Sequence, residues 1–220
     1  MLAAKNLDSE INSDHIDRAY YKVLVGDEKK DRSGISHRDR EITAYHEAGH
    51  ALVTKLIAKE NRVAKVSIIP SSGGLGGFSL NISPEKMYQT KEDMINSIKI
   101  ALAGRAAEEI IFGKDCITTG ASSDLEKSTN IVMSMICIYG MDEGVGLLNY
   151  NALENNGISV SRDTIDKGRK ILHHLYSEVT SLLSGNKDKL IGLADALLEH
   201  ESLDEEEIDD LIFGKESICF

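Results

Sequence analysis

Two histidines spaced four residues apart, with a glutamate directly after the first, have the residue types and spacing of a metal-dependent hydrolytic site. They are His46 and His50, and the glutamate is Glu47. On a helix, four residues advance about 6 Å and turn about 400°, so both imidazoles leave the same face and can share one metal ion. Zinc accepts imidazole nitrogen at about 2.0–2.1 Å, and a catalytic zinc combines three protein ligands with one water. A glutamate beside the first ligand can take the proton of that water, although so short a pattern also arises by chance.

The sequence around these three residues predicts a long helix that is largely buried. Ser36 is a candidate N-cap, and apolar residues then recur at helical spacing up to Leu56. Because buried polar groups need partners, two histidines and a glutamate on such a helix require a metal ion or a hydrogen-bond network. The predicted burial therefore favours a metal site over a chance pattern.

A third ligand must come from elsewhere in the chain, and the residues alone leave two acidic candidates open. The first is Glu108 or its neighbour Glu109, near the end of a second predicted helix that stops at Gly113. The second is Asp124, in the first turn of a third predicted helix, where the helix dipole favours a carboxylate. An acidic residue at such a position can also serve only to stabilise the helix N-terminus.

Four segments of the chain, in their order and spacing, resemble the peptidase domain of the FtsH family, which are membrane-anchored, ATP-dependent AAA+ zinc metalloproteases. The segments are residues 44–51 (AYHEAGHA), 104–109 (GRAAEE), 119–125 (TGASSDL) and 139–141 (YGM). The resemblance implies that His46, His50 and Asp124 bind zinc. It also implies that Glu47 is the general base and that Glu108 orients a histidine ligand, since carboxylates behind a ligand fix the imidazole tautomer.

A glycine-rich segment at residues 73–77 separates two predicted strands. It lacks the lysine followed by serine or threonine that a phosphate-binding loop carries, so we interpret it as a connection beside the substrate cleft. In the resembled family a strand here holds the substrate in extended form, which implies a cleft position for Gly76, Gly77 and Phe78. Backbone pairing of this kind suits a protease with loose sequence preference. The segment is richer in glycine than in most relatives, and Ser123 stands where the family usually has asparagine.

The apolar spacing, the cap signals and the helix stops predict a mainly α protein with a small β-sheet beside the active-site helix. Helices are predicted near residues 13–25, 37–59, 91–112, 123–139, 161–183, 187–200 and 203–213. The sheet is predicted within residues 63–82, and residues 141–160 are predicted as a loop. Besides Ser36, three helix starts have cap signals: Thr90 with Asp93, Ser123 with Glu126, and Ser202.

The N-terminal residues carry a separate signal. Residues 13–20 and 26–30 resemble the closing helix of the AAA+ lid in the same family. We therefore divide the chain into a lid remnant with linker at residues 1–30 and a zinc peptidase domain at residues 31–220. No G-x-x-x-x-G-K-[ST] motif occurs, so we expect no nucleotide binding of the P-loop kind from this chain. The lid helix favours a portion of a longer enzyme over a natural relative without a motor.

Composition argues against several partners. With 36 acidic and 25 basic residues the net charge is -11, which argues against nucleic acid and against an anionic membrane surface. No apolar run approaches the roughly 18 residues that cross a bilayer, and we expect any membrane anchor to lie outside this sequence. The 3 cysteines lack metal spacing and fit a reducing compartment. Adjacent His173 and His174 point about 100° apart on a helix, so we expect one in the core and one on the surface.

These observations predict the proteolytic portion of an FtsH-like protease, which uses Zn²⁺ to cleave peptide bonds in unfolded or damaged polypeptides. The resemblance implies a homo-hexamer, and in the full-length protein an AAA+ ATPase module and a membrane anchor. It places the domain in the cytoplasm, or on the matrix or stromal side of an organelle membrane. The alternative is a catalytically silent metal-binding or assembly module of the same fold. Intact Glu47 argues against that alternative, because a module that only binds does not need the base.

Overall fold

The computed structural model describes residues 34–71, 76–144, 146–154 and 161–214, together with Val23, Gly26 and Lys29. The predicted lid helix near residues 13–25 falls on residues that, apart from Val23, lie outside the described ones. The division of the chain near residue 30 therefore stays a prediction.

In the described residues, α-helices dominate. They are α1 (His37–Ile57), α2 (Lys91–Phe112), α3 (Ser122–Cys137), α4 (Tyr150–Glu154), α5 (Arg162–Gly185), α6 (Lys187–His200) and α7 (Glu205–Phe213). Short 3-10 turns at Lys114–Cys116 and Thr119–Ala121 connect α2 to α3. The predicted mainly α class is confirmed. Among the described helices, none combines the length and the apolar character that crossing a bilayer requires.

Helix α1 carries the histidine pair, and its sequence explains both its start and its burial. Ser36 Oγ accepts from the amide N–H of Asp39, while the Asp39 carboxylate accepts from the amide N–H of Ser36, which is a complete capping box. Every residue from Ala44 to Thr54 is buried except His46, which is partly exposed. The helix therefore holds its polar residues inside the protein, as the apolar spacing predicted.

Three strands of the described chain form one antiparallel sheet against α1: β1 (Arg62–Ser67), β2 (Phe78–Ile82) and β3 (Ser202–Asp204). Strand β1 is central, so that Ser67 lies opposite Phe78 on one side and opposite Ser202 on the other. Within this sheet β2 is an edge strand. An edge strand offers its outer backbone groups to a further extended chain.

Two hydrophobic clusters meet at α2. The larger cluster packs α1, with Leu52, against the second half of α2, with Ala106, and against α5, α6, α7 and the sheet. The smaller cluster packs α3, with Val132, against the first half of α2, with Ile98, and against α5. The middle of α1 and the start of α3 are thereby brought to the same side of α2.

Two helix starts differ from the sequence prediction. Ser123 and Glu126 form no capping box, because α3 begins at Ser122 and the preceding 3-10 turn supplies the carbonyl for its first amide N–H. Ser202 does not cap the last helix. It begins strand β3, and Asp204 caps α7 with a capping box of its own.

Two further predictions were wrong. The segment 141–160 is not loop throughout, since it contains the short helix α4. His173 and His174 are both exposed, because the buried face of α5 passes through Gly168, Leu175 and Val179 instead.

Candidate active site

Three side-chain atoms converge between the middle of α1 and the start of α3. His46 Nε2 lies 3.1 Å from His50 Nε2, while Asp124 Oδ2 lies 3.2 Å from the first nitrogen and 3.4 Å from the second. A tetrahedral zinc ion with ligands at about 2.0–2.1 Å keeps its ligand atoms about 3.3–3.4 Å apart. The three atoms therefore have nearly the spacing of one face of a zinc tetrahedron.

Hydrogen bonds at Nδ1 of His46 and of His50 orient each ring so that Nε2 faces the point where the three atoms converge. His50 Nδ1 donates to the backbone carbonyl oxygen of Ile100 at 2.7 Å, and His46 Nδ1 donates to Glu108 Oε1 at 2.7 Å. When both rings are neutral, as ligation of a metal ion requires, the single proton of each ring lies on Nδ1 and each Nε2 is an acceptor. Two acceptor nitrogens and a carboxylate that face one another suit a cation, and this donor set fits zinc.

Glu108 lies behind His46, on the Nδ1 side of the ring. Its side chain is completely buried, and its second oxygen accepts from the amide N–H of Thr118 at 2.8 Å. Burial alone would raise the pKa of Glu108, but the hydrogen bonds from His46 and Thr118 outweigh burial and lower it. The residue is therefore an ionised acceptor that holds His46 in one tautomer.

Of the acidic candidates that the residues left open, Asp124 is the one whose carboxylate reaches both histidines. Glu109 points elsewhere, and its Oε2 accepts from the hydroxyl of Tyr176 on α5 at 2.6 Å. Asp124 lies in the first turn of α3 with its side chain 22% exposed. Burial opposes its charge, yet the hydrogen bonds of His46 and His50 hold the pKa of this carboxyl well below its usual range.

The electrostatics of the site favour positive charge where the ligand atoms meet. Burial disfavours a charged His46, but hydrogen bonds to Asp124 and Glu108 overcome burial and raise the pKa of His46 to about 10. A metal cation at the same point would neutralise the same two carboxylates. It would contact Asp124 directly and act on Glu108 through the imidazole of His46.

Glu47 lines the same cleft as the three converging atoms without being one of them. It is only 8% exposed, and burial raises its pKa although His50 and His46 act in the opposite direction. A carboxylate with a raised pKa accepts a proton more readily than an exposed one, which suits a general base.

A cleft of about 600 Å³ opens over these side chains. The structure brings Gly76, Gly77 and Phe78, which the sequence placed at a substrate cleft, to its wall together with the histidine pair and Glu47. Gly77 lies close to Glu47, because a Cβ there would stand 3.1 Å from Glu47 Cγ. The cleft thus joins the histidine pair, Asp124, Glu47 and the outer strand of the sheet.

Two contributors to the site escaped the sequence reasoning. They are the carbonyl oxygen of Ile100 and the amide N–H of Thr118, which orient His50 and Glu108. Every residue except proline has both backbone groups, so residue type gives no signal for them.

Comparison with known proteins identifies the family of this chain. Residues 33–211 match the family described as peptidase family M41. The chain is 46% identical to ATP-dependent zinc metalloprotease FtsH 1 of Alkaliphilus metalliredigens over 98% of its length, and 46% identical to ATP-dependent zinc metalloprotease FtsH of Lachnoclostridium phytofermentans over 94%. A third relative, ATP-dependent zinc metalloprotease FtsH of Bacillus subtilis, is 35% identical over 96% of the chain.

The chain spans 37%, 35% and 35% of the lengths of these three relatives. The resemblance inferred from the four motifs is confirmed. With a family match over residues 33–211 and 46% identity across nearly its whole length, this chain belongs to peptidase family M41.

Proposed function

We propose that this chain is a zinc-dependent endopeptidase domain in which His46, His50 and Asp124 hold the metal and Glu47 is the general base. The observation that carries the proposal is the triangle of 3.1, 3.2 and 3.4 Å formed by the three ligand atoms, with a buried carboxylate beside it. When bound, zinc activates a water and polarises the scissile carbonyl. Glu47 accepts the proton of that water and returns it to the leaving amine.

The substrate we propose is an extended polypeptide that pairs with β2. Phe78, Ser79 and Asn81 of this edge strand line the cleft beside the ligands. Main-chain pairing would hold the scissile bond near the metal and would demand little of the substrate's side chains. Unfolded or damaged polypeptides can supply such a backbone, whereas folded domains cannot.

Zinc analysis combined with a protease assay tests this function. The purified chain should carry one zinc, should cleave an unfolded protein, and should lose cleavage with a chelator and regain it with added zinc. Zinc without cleavage would favour the alternative, a silent metal-binding or assembly module. A chain that binds no zinc would overturn both.

The chain should digest loosely folded protein without ATP and leave stable folded domains intact. Native domains resist opening by about 5–15 kcal/mol, and the present sequence has no P-loop with which to couple nucleotide hydrolysis to unfolding. Gel analysis of an unfolded substrate and a stable domain, each with and without ATP, measures this. ATP-stimulated degradation of the stable domain by this chain alone would contradict it.

We propose further that the peptidase domain assembles into a closed homo-hexameric ring. Large apolar side chains on the surface support an interface: Met87, Tyr88 and Leu147 are 89%, 79% and 96% exposed. Repeated head-to-tail contacts close into rings when the rotation permits. Light scattering at micromolar concentration, with and without zinc, should show a hexamer. A monodisperse monomer in both conditions would show that the chain alone does not form the ring.

In the full-length protein we propose an AAA+ ATPase module preceding this domain, with residues 1–30 as the end of its lid. We also propose a membrane anchor, with the peptidase domain on the cytoplasmic, matrix or stromal side. Protease protection of the full-length protein in sealed vesicles tests the side of the membrane. In sealed vesicles whose cytoplasmic, matrix or stromal face points outward, added protease should digest the domain. Protection of the domain until detergent opens the vesicles would contradict the proposed side.

A further inference from the structure

Gly104, in the interior of α2, faces the imidazole of His46 across the contact between α1 and α2. A Cβ built on Gly104 would lie within 2.6 Å of His46 Nε2, Cε1 and Cδ2 alike. A point in the ring plane beyond Nε2 would be markedly farther from the two carbons than from the nitrogen. The near-equal distances therefore place Gly104 over the face of the ring, next to the atom that points at the metal site.

The hydrogen bonds of His46 act at its ring nitrogens, toward Glu108 and Asp124. Its hydrogen bond to Glu108 holds Nδ1 at 2.7 Å and limits rotation within the ring plane. On another side the ring meets His50 edge to face, with ring centroids 4.8 Å apart. The backbone at Gly104 lies against the flat face of the ring.

Other glycines of the helices meet different surroundings. A Cβ on Gly49, in the same contact between α1 and α2, would stand 2.8 Å from the Ala103 carbonyl oxygen and 2.8 Å from Ala107 Cβ. Gly49 therefore permits close packing of the two helices. A Cβ on Gly192, within α6, would meet no heavy atom within 4 Å. Gly104 differs from both because its neighbour is a proposed ligand.

We propose that Gly104 is a positioning residue of the metal centre, whose missing side chain lets the His46 ring lie flat against α2 with Nε2 in the ligand triangle. A methyl group at this place would push the ring off its plane. The ring could swing aside, but only by leaving Glu108 or the metal position. The inference rests on the proposed function and adds to it a residue that contacts neither metal nor substrate.

Gly104→Ala tests the inference, with Gly192→Ala as control for an added methyl group and Gly49→Ala as control for helix packing. Three quantities are measured: zinc affinity by chelator competition, the visible spectrum of the cobalt-substituted protein, and the melting temperature in chelator. We expect Gly104→Ala to weaken zinc binding at least about 10–100-fold, the range for loss of an orienting contact, and to alter the cobalt spectrum. Gly49→Ala should lower the melting temperature, and Gly192→Ala should change none of the three quantities.

A double-mutant cycle keeps the test decisive if Gly104→Ala also destabilises the fold. In a His46→Ala background the clash partner is gone, so the stability penalty of Gly104→Ala should disappear. A penalty that persists there would overturn the inference, as would wild-type zinc affinity and an unchanged cobalt spectrum in Gly104→Ala. If the unsubstituted chain itself binds no zinc, the proposed function fails, and this inference fails with it.

Discussion

The two histidines and Asp124 reach the same point from regions of different construction. His46 and His50 lie on a helix buried in the larger hydrophobic cluster, and each ring donates from Nδ1 to a fixed acceptor on or beside α2. Asp124 comes from the exposed first turn of α3, a helix of the smaller cluster, and within the described residues its side chain bonds only to the two histidines. The fold therefore orients the histidines by itself, whereas Asp124 is oriented by what it binds.

Among the substitutions that test this difference between the histidines and Asp124, Asp124→Ala should have the largest effect on zinc affinity. The substitution removes one of the three proposed ligands, and we expect zinc affinity to fall by more than the roughly 100-fold that an orienting residue can cost. Stability without metal should fall as well, because the low pKa of this carboxyl means that its contacts with the two histidines stabilise the folded protein at neutral pH. Glu126→Ala, at an exposed position of the same helix, is the matched control. Retention of zinc by Asp124→Ala in equilibrium dialysis would exclude the residue as a ligand.

Glu108→Gln should have a smaller effect. Glu108 accepts hydrogen bonds from His46 and Thr118 at separate oxygens, and a glutamine offers only one acceptor for these two donors. We expect zinc affinity to fall about 10–100-fold with the metal still bound at high concentration. Metal titration alongside Asp124→Ala measures the ranking. An empty site in Glu108→Gln and a full one in Asp124→Ala would reverse the assignment.

Ile100→Val should have the smallest effect on metal binding. His50 is oriented by the backbone carbonyl of Ile100, which remains when the side chain is shortened. Stability should fall by about 0.5–1.5 kcal/mol at most, as for other isoleucine to valine changes, while zinc affinity stays unchanged. Chelator competition and denaturant unfolding on the same samples separate the two quantities. A loss of zinc affinity as large as that of Glu108→Gln would show that the side chain, and not the carbonyl, positions His50.

The features that the sequence could predict are those that depend on residues close together in the chain. The start of α1 at Ser36 and the start of α2 at Thr90 depend on residues a few positions apart, and the predicted N-cap at Ser36 and the predicted capping box of Thr90 with Asp93 are both present. The histidine pair is equally local, because its geometry follows from helical spacing alone. The choice among Glu108, Glu109 and Asp124 depended on the resemblance, because only the packing of α3 against α2 shows which carboxylate comes close.

Features that depend on distant pairing were missed. Strand β3 is three residues long and exists because Leu203 pairs with Val66 far away in the chain. A segment this short shows no recognisable alternation, so Ser202 looked like a helix cap. The predicted cap at Ser123 failed for a related reason: the 3-10 turn before α3 left that helix no need of a side-chain cap.

The substitution Glu47→Gln tests the central claim most directly, because it separates the base from the ligands. Zinc content and cleavage of an unfolded protein are measured on the same preparation, beside the unsubstituted chain. The account predicts that Glu47→Gln keeps one zinc per chain and loses about 10²–10⁴-fold in hydrolysis, the usual contribution of a general base. Substantial cleavage by the variant, or loss of its zinc, would contradict the assignment of Glu47 as the base beside a site formed by His46, His50 and Asp124.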